Sequence, residues 1–505
     1  METDSGARNI LPDAAWAVAT ARGGPMQYFR PGGGLFVGDC MPFWHENVYH
    51  LLYLLDQGHH QGRGGLGGHQ WAHASTTDLI HWTHHPLALS IEHEWEGSIC
   101  TGSVYARGET FHAFFATRMR DHTQHLGRAV SADGIHFTKC EPNPFFSPPA
   151  GYDANDCRDP FVFQGKDGVF HLLVTARRTG PAFPEHNGGG GCLLHLVSDD
   201  LFAWTLNEEP FFVPGGEPGG TSVPECPDYF FWNGWYYLLF GQGLQTRYRL
   251  SRQPFGAWEK PCVDVLDSPK LAVMKTAPFG AAGRRIGAAW LGSRQGDQDT
   301  GAMLWGGNLV LRELVQNADG TLGTRFVAEQ RLPVAKTVPP LFQALTPDVV
   351  IVTSPPAGTV LLHARQQARE VALLEGVPPD MRVRVRVRPG GGCHGRFGLG
   401  LRASGNLKTG YVLGFDPGMR KAWLADETIE GVEFLGEPFD LEVVCWGDIL
   451  DASIGGRRCL INRLPQARGA SLFLFAENGN ETAFDVLAVE VLEPPPVARE
   501  SFEAP

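Results

Sequence analysis

Asp39, Asp159 and Glu225 are the residues of this 505-residue chain whose type and spacing could do chemistry together. Each comes shortly before the aligned aromatic of a recurring phrase: Asp39 lies 10 residues before Tyr49, Thr101 lies 10 before Phe111, Asp159 lies 11 before Phe170 and Glu225 lies 11 before Tyr236. Three of these four equivalent positions are carboxylates. If the phrases are structural repeats, residues distant in sequence meet at one place. Like charges brought together and partly buried have their pKa values pushed apart, which divides them into acids and bases. Glu225, in Pro224-Glu225-Cys226-Pro227-Asp228, has the tight and poorly solvated surroundings that suit a general acid. Asp228 is three residues on and out of register, so it is expected behind the site or facing solvent. Arg158 directly precedes Asp159, and on a regular strand the two would point to opposite faces. A bulge or turn there would aim both at one ligand. The fifth aligned position falls near Lys275, not on an acid.

The elements that must position these groups are repeats. The phrase that includes VYHLLY from Val48 returns as FHAFFAT from Phe111, VFHLLVTA from Val169, WYYLLFG from Trp235 and, more weakly, RIGAAWLG from Arg285. A second phrase follows four of them: STTDLIHW from Ser75, SADGIHF from Ser131, SDDLFAW from Ser198 and SRQPFGAW from Ser251. Polar turns between short aromatic and aliphatic runs are hairpin signals, and repeats of this length mark a propeller or a solenoid. We read five blades over residues 1–335, with the first strand of each blade lining a central channel. Blade two opens on Gly97-Ser98-Ile99-Cys100-Thr101-Gly102-Ser103, small residues that admit a backbone or a ligand closely. The glycine-rich loop Asp56–Gln70 carries His59, His60 and His69, readable as a metal-binding tract or as a rim without metal. After Pro333 a proline-marked linker (336–350) leads to alternating strands such as MRVRVRVR from Met381, and residues 351–505 read as a β-sandwich. The arginine stripe of that strand reads as a solvated face more readily than as a site for an acidic ligand. The fold class is all-β, a five-bladed β-propeller followed by a C-terminal β-sandwich.

Composition narrows the function. A formal net charge of -13 argues against a nucleic-acid partner, and no apolar run approaches the roughly 18 residues that span a bilayer. The N-terminal stretch lacks the apolar centre of a signal peptide. Ten cysteines without CxxC pairing fit reduced, mostly buried thiols. A cytoplasmic location is the expectation, with neither metal nor organic cofactor required.

These residues resemble glycoside hydrolase family 32, the invertases, inulinases and levanases. The resemblance is carried by WAHASTTDLIHW from Trp71, HPLAL from His85, the Arg158-Asp159-Pro160 triplet, the Glu225-Cys226 pair, and RRIGAAWLG followed by LWGGNLVLREL; it extends into the sandwich through LEVVCWGDILDASIGGRRCLINR. It implies that Asp39 is a nucleophile, Asp159 a transition-state stabiliser and Glu225 the general acid and base. Arg158, Trp71, His73, Thr101, Gly102, Ser103 and Trp305 are then expected against the sugar. The family retains anomeric configuration, which implies carboxylates roughly 5 to 5.5 Å apart. The first motif departs from the family pattern: Gly38 stands in place of an Asn, Cys40-Met41-Pro42 in place of Pro-Asn-Gly, and Leu54 in place of a Gln. Those amides help grip a fructosyl unit, so replacements are expected from the His59, His60 and His69 loop or from Arg118 and Arg120.

The leading reading is a retaining glycosidase of furanosides, foremost β-fructofuranosides, acting on an oligosaccharide or small glycoside. Two others stay open: a related five-bladed glycosidase of another sugar such as arabinofuranose, and a non-catalytic carbohydrate-binding propeller. Transfer to a second sugar instead of water is also compatible with these residues.

Overall fold

The computed structural model describes residues 25–93, 95–179, 190–214, 223–354, 357–391, 395–405 and 407–495; the N-terminal lead-in and Cys393 lie outside them. Blade one is the antiparallel run Leu35–His45, Val48–Gln57, Gln70–Thr76 and Thr83–Leu89. Blade two runs Ser98–Arg107, Thr110–Arg118, Gln124–Ser131 and Thr138–Lys139, and blade three Tyr152–Gln164, Phe170–Arg178, Gly191–Ser198 and Thr205–Leu206. Blade four has Glu225–Trp232, Trp235–Gln242 and Gln245–Ser251, with Leu250 bridged to Glu259 outside them. Blade five is Leu271–Phe279, Arg284–Arg294, Met303–Gln316 and Leu322–Arg325.

The second strand of each blade is covered on both faces, which is why Val48–Gln57 and Trp235–Gln242 are nearly continuous apolar runs. Single bridges, Gln245 to Ala272 and Val37 to Gly307, are the ladder pairing between blades four, five and one. Side-chain packing therefore holds blade to blade, as where Met41, Phe43, Leu52 and Trp71 of blade one meet Ile99, Phe111 and Phe115 of blade two. The recurring polar phrase closes a turn by side-chain capping. Thr76, Ser131 and Ser198 hydroxyls accept the amides of Leu79, Gly134 and Leu201, each 2.9 Å away and each left-handed, at φ 61, 70 and 72°.

In every blade the innermost strand breaks register at one matching place, and in blade three it breaks a second time between Tyr152 and Cys157. The matching breaks fall between Val37 and Cys40, Ile99 and Gly102, Arg158 and Phe161, Glu225 and Asp228, and Ala272 and Lys275. Each bulge turns side chains out of the pleat toward the channel.

The C-terminal domain packs two antiparallel sheets face to face around Val383, Val385, Val387, Leu399, Leu413 and Leu474. The linker read at residues 336–350 includes strand pairing: Val334–Val338 lies along Glu481–Leu492 and Gln343–Ala344 along Arg369–Glu375. Prolines at 333 and 339 bracket the first of these, a position an edge strand tolerates. The arginine stripe is paired across the sheet, Arg382 with Glu490 (2.6 Å), Arg386 with Asp440 (3.0 Å) and Arg388 with Asp485 (2.8 Å).

Arg312 joins the domains. Fully buried, it donates to both carboxylate oxygens of Asp451 in the sandwich (2.9 Å each) and to Asp267 of the propeller (3.1 Å), while Tyr28 Oη donates to Asp451 (2.8 Å). A cavity of about 340 Å³ lies beside this junction, lined by Tyr28, Phe326, Arg382, Val385, Glu442 and Leu487, and holds none of the channel carboxylates. Among the described residues no helix is long and apolar enough to cross a membrane. Of the nine described cysteines none is paired, and seven are buried.

Arg312→Met leaves Asp451 and Asp267 buried without their cation. We expect a loss of about 3–5 kcal/mol, read as a lower urea midpoint.

Candidate functional site

The five bulges build the mouth of the channel. The residues between the paired flanks are Gly38-Asp39, Cys100-Thr101, Asp159-Pro160, Cys226-Pro227 and Val273-Met274. Asp159, Cys226 and Val273 hold matching places with left-handed backbone, φ 56, 49 and 40°. Strain of this kind in residues with a Cβ costs on the order of 1–3 kcal/mol each and persists where surrounding structure enforces it. Strand register also corrects the counting by sequence. Asp39 and Thr101 are equivalent, but Asp159 is the first residue of its bulge, and Glu225 sits one place earlier still, matched with Arg158. Intervals counted to an aromatic do not register which bulge residue is reached. Lys275 matches Asp228, each the first paired residue after its bulge.

Asp39 is half-buried and held on both oxygens. Thr101 Oγ1 donates to Oδ2 (2.7 Å), Trp290 Nε1 to Oδ1 (2.9 Å), and the Cys226 thiol lies 3.6 Å from Oδ2. Enclosure raises its carboxyl above the usual range and the neighbouring Glu225 charge adds to this, against the lowering by the Thr101 and Trp290 donors. Asp159 is buried, with one oxygen accepting the Cys226 amide (3.0 Å). Burial raises its carboxyl too, and Arg158 counteracts this. Arg158 faces three acids, Glu225, Asp159 and Asp156. Its Nη2 donates to Glu225 Oε1 (2.7 Å), its Nε lies 3.6 Å from Asp159 Oδ2, and its Nη1 donates to Asp156, which Arg177 braces from the other side. Burial alone would lower the Arg158 pKa; Glu225, Asp159 and Asp156 together hold it well above the ordinary value. Glu225, expected in poorly solvated surroundings, has a side chain 32% exposed, because its position ahead of the bulge leaves it on the open side.

The other residues expected against the sugar divide. Thr101 touches Asp39 directly, and Trp305 lies at the mouth, 5.1 Å from Trp290 and stacked 4.6 Å from His69. Gly102 and Ser103 stitch blades together instead. The Gly102 carbonyl accepts Lys275 Nζ (2.9 Å), and Ser103 Oγ donates to the Pro160 carbonyl and accepts the Val162 amide. A Cβ at Gly102 would stand 1.9 Å from the Phe114 carbonyl oxygen, so only glycine fits. Trp71 and His73 are fully buried and do not reach the mouth. Both project from Gln70–Thr76 into blade packing, where Trp71 Nε1 donates to the Cys100 carbonyl (2.9 Å) and His73 stacks between His50 and His85. Trp71 thus steadies the bulge that presents Thr101. Asp228 is neither exposed nor at the mouth: it is buried and accepts the Thr276 amide (2.8 Å).

Sequence reasoning named Cys226 and Lys275 without giving them a role, and it gave none to Trp290 or Asp156. Trp290 was legible in RIGAAWLG, since it pairs with Ala272 at the edge of the fifth bulge. Lys275 is a buried cation placed among Asp39, Asp159, Asp228 and Cys226; burial lowers its pKa and those groups offset part of the effect.

The departures in the first motif have a physical reason. A Cβ at Gly38 would lie 2.2 Å from the Trp305 ring and 3.2 Å from Leu54, so Trp305 and Leu54 fill the space an amide side chain would need. The histidine loop sits beside them. Asp56 accepts the His60 amide (2.8 Å) and His69 Nε2 (3.0 Å), His59 meets the Trp305 carbonyl (2.9 Å), and His60 Nε2 lies 2.6 Å from Arg118 Nη1. Asp56, His60 and His69 bring three ligand atoms within 4.8 Å of one another. Arg118 donates to His60 Nε2, however, which puts the neutral ring's own proton on Nδ1, so neither nitrogen offers a lone pair to a cation.

Residues 39–320 match the Glycosyl hydrolases family 32 N-terminal domain. The chain is 25% identical to sucrose-6-phosphate hydrolase of Escherichia coli over 355 residues, covering 65% of this chain and 68% of that protein. It is 28% identical to raffinose invertase of Escherichia coli over 353 residues, 64% and 69% of the two. In three dimensions it resembles fructan 1-exohydrolase IIa of Cichorium intybus, solved in complex with 1-kestose, at TM-score 0.67 and 18% identity over 94% of this chain and 98% of that one. With Asp39 opening the matched region and Asp159 and Glu225 gathered beside it, the chain belongs to glycosyl hydrolases family 32.

Proposed function

We propose that Asp39 is the nucleophile, Glu225 the general acid and base, and Asp159 the stabiliser of the transition state in a retaining β-fructofuranoside hydrolase. The observation that carries these roles is the contrast between two carboxylates. Asp39 is enclosed and fixed by Thr101 and Trp290, which aims one oxygen at an anomeric carbon. Glu225 is open to solvent at one side and held at Oε1 by Arg158, which leaves Oε2 for the departing oxygen and later for water. In the first step Glu225 gives its proton to the glycosidic oxygen as that bond breaks and Asp39 bonds to the anomeric carbon. In the second, Glu225 takes a proton from water, the oxygen bonds to the same carbon, and Asp39 departs as carboxylate. Asp159, braced by Arg158 and the Cys226 amide, accepts hydroxyl hydrogen bonds from the sugar as positive charge develops on the ring. The nine described cysteines, unpaired and mostly buried, favour a reducing compartment, and we place the enzyme in the cytoplasm, acting on small oligosaccharides.

Release of reducing sugar from sucrose, inulin-type and levan-type oligosaccharides and aryl furanosides tests the reading. Asp39→Asn is expected to abolish fructose release. Glu225→Gln should slow sucrose by about 10²–10⁴-fold and an aryl fructoside with a good leaving group far less, since that substrate needs little protonation. Activity of Asp39→Asn equal to the wild type would remove the nucleophile assignment.

The pH profile supplies a second test. Asp39 must be ionised to attack, and its raised pKa puts the acid limb of kcat/KM above the ordinary aspartate value of about 3.9. Lys275→Met removes a buried cation that favours the ionised acids, so the acid limb should move to higher pH. A limb that stays in place or moves down would show that Lys275 exerts no field on them.

A further inference from the structure

We infer that Arg118 is the specificity residue of this site and that it binds an anionic substituent, a phosphate, sulfate or carboxylate, carried by the substrate. The inference rests on the fructosidase reading and deepens it. Arg118 ends the strand Thr110–Arg118 and pairs with Ser98, at the start of the strand that carries Thr101. It is half-buried at the mouth, and among the described residues its side chain meets His60 and no carboxylate. That separates it from the other arginines nearby: Arg158 and Arg177 are committed to Asp156, Asp159 and Glu225. Its partner is an imidazole kept neutral, the His60 pKa lowered to about 4 by burial and by the nearby His69 and Arg118. A neutral acceptor aims the guanidinium without cancelling its charge, and four of the five N–H donors remain for a ligand.

The support beneath His60 is elaborate for a surface loop. Buried Asp56 anchors the His60 backbone and the His69 ring, and Trp305 lies against both imidazoles. His59 and His60 are both left-handed, φ 56 and 69°, a conformation that residues with a Cβ resist. The result is a fixed chain of contacts from the candidate nucleophile to the cation: Asp39, Trp290, Trp305, His60, Arg118. A site containing Asp39, Asp159 and Glu225 in a protein of net charge -13 repels an anion unless a dedicated cation receives it. Planar bidentate recognition of phosphate and carboxylate is what a guanidinium held in this way does best.

The test compares wild type, Arg118→Met and Arg118→Lys on sucrose and on sucrose monophosphates bearing the phosphate on either ring, with inorganic phosphate as competitor and as thermal-shift ligand. For the wild type we expect competitive inhibition by phosphate and a rise in Tm with phosphate. In Arg118→Met the ratio of kcat/KM for the preferred monophosphate to that for sucrose should fall by about 10- to 100-fold, and the Tm rise should disappear; Arg118→Lys should retain part of both. An unchanged ratio, or no effect of phosphate on the wild type in either assay, overturns the inference. If the wild type releases no fructose from any of these sugars, the fructosidase reading fails by itself, and the Tm response to phosphate, wild type against Arg118→Met, still decides the role of Arg118.

Discussion

A strand that keeps its pleat sends neighbouring side chains to opposite faces, so a channel lined by regular strands could offer at most every second residue to a ligand. The propeller escapes this limit by breaking each innermost ladder at the same height. At that height Arg158 and Asp159, adjacent in sequence, come within ion-pair reach of each other, and Cys226 can give its amide to Asp159 and its thiol to Asp39 at once. Chemistry here depends on the bulges more than on any single acid. They require the small or strained residues found at them: Gly38 under Trp305, Gly102 against the Phe114 carbonyl, and left-handed Asp159, Cys226 and Val273.

Gathering carboxylates in this way creates an electrostatic problem that Arg158 and Lys275 divide between them. Arg158 spans Asp156, Asp159 and Glu225 on the side where solvent enters. Lys275 lies deeper, over the Phe161 ring and tied to the Gly102 carbonyl, where it faces the acids from below. The division leaves Asp39 with neutral donors alone, Thr101 and Trp290, and no direct ion pair among the described residues. A nucleophile locked in a salt bridge would be stabilised before the reaction more than during it. Neutral donors fix its position with less loss of reactivity.

Much of this was legible in the sequence because both signals repeat. The aromatic phrase and the polar turn mark the second strand of every blade and the capped turn that follows the third strand of blades one to three, and those two elements locate the innermost strand by subtraction. The three acids were found in that way. What was not legible depends on register at one-residue precision. Counting placed Glu225 level with Asp159, whereas the ladder places it level with Arg158, and exposure of the side chain follows from that difference. Trp71 and His73 share a motif with residues that matter, yet face into the blade packing, because strand alternation and not motif membership decides direction. Asp156 comes from an element whose sequence is unremarkable, and only the closing of the ring sets Trp290 and Lys275 beside the acids.

The same closing of the ring explains how a family site can change its grip while keeping its acids. Where an amide side chain would stand before Asp39, this chain has no side chain, and Trp305 from blade five occupies the space, with Leu54 filling the adjacent corner. Trp305 in turn supports His60 and His69, so the loss of amides and the gain of the histidine loop are one packing solution and not two independent drifts. Restoring an Asn at position 38 alone would drive it into the Trp305 ring. The apolar wall, the left-handed loop and Arg118 form a unit that replaces short neutral donors close to Asp39 with a longer, charged donor farther out. The position of Asp39 is left to Thr101 and Trp290, which the replacement does not touch.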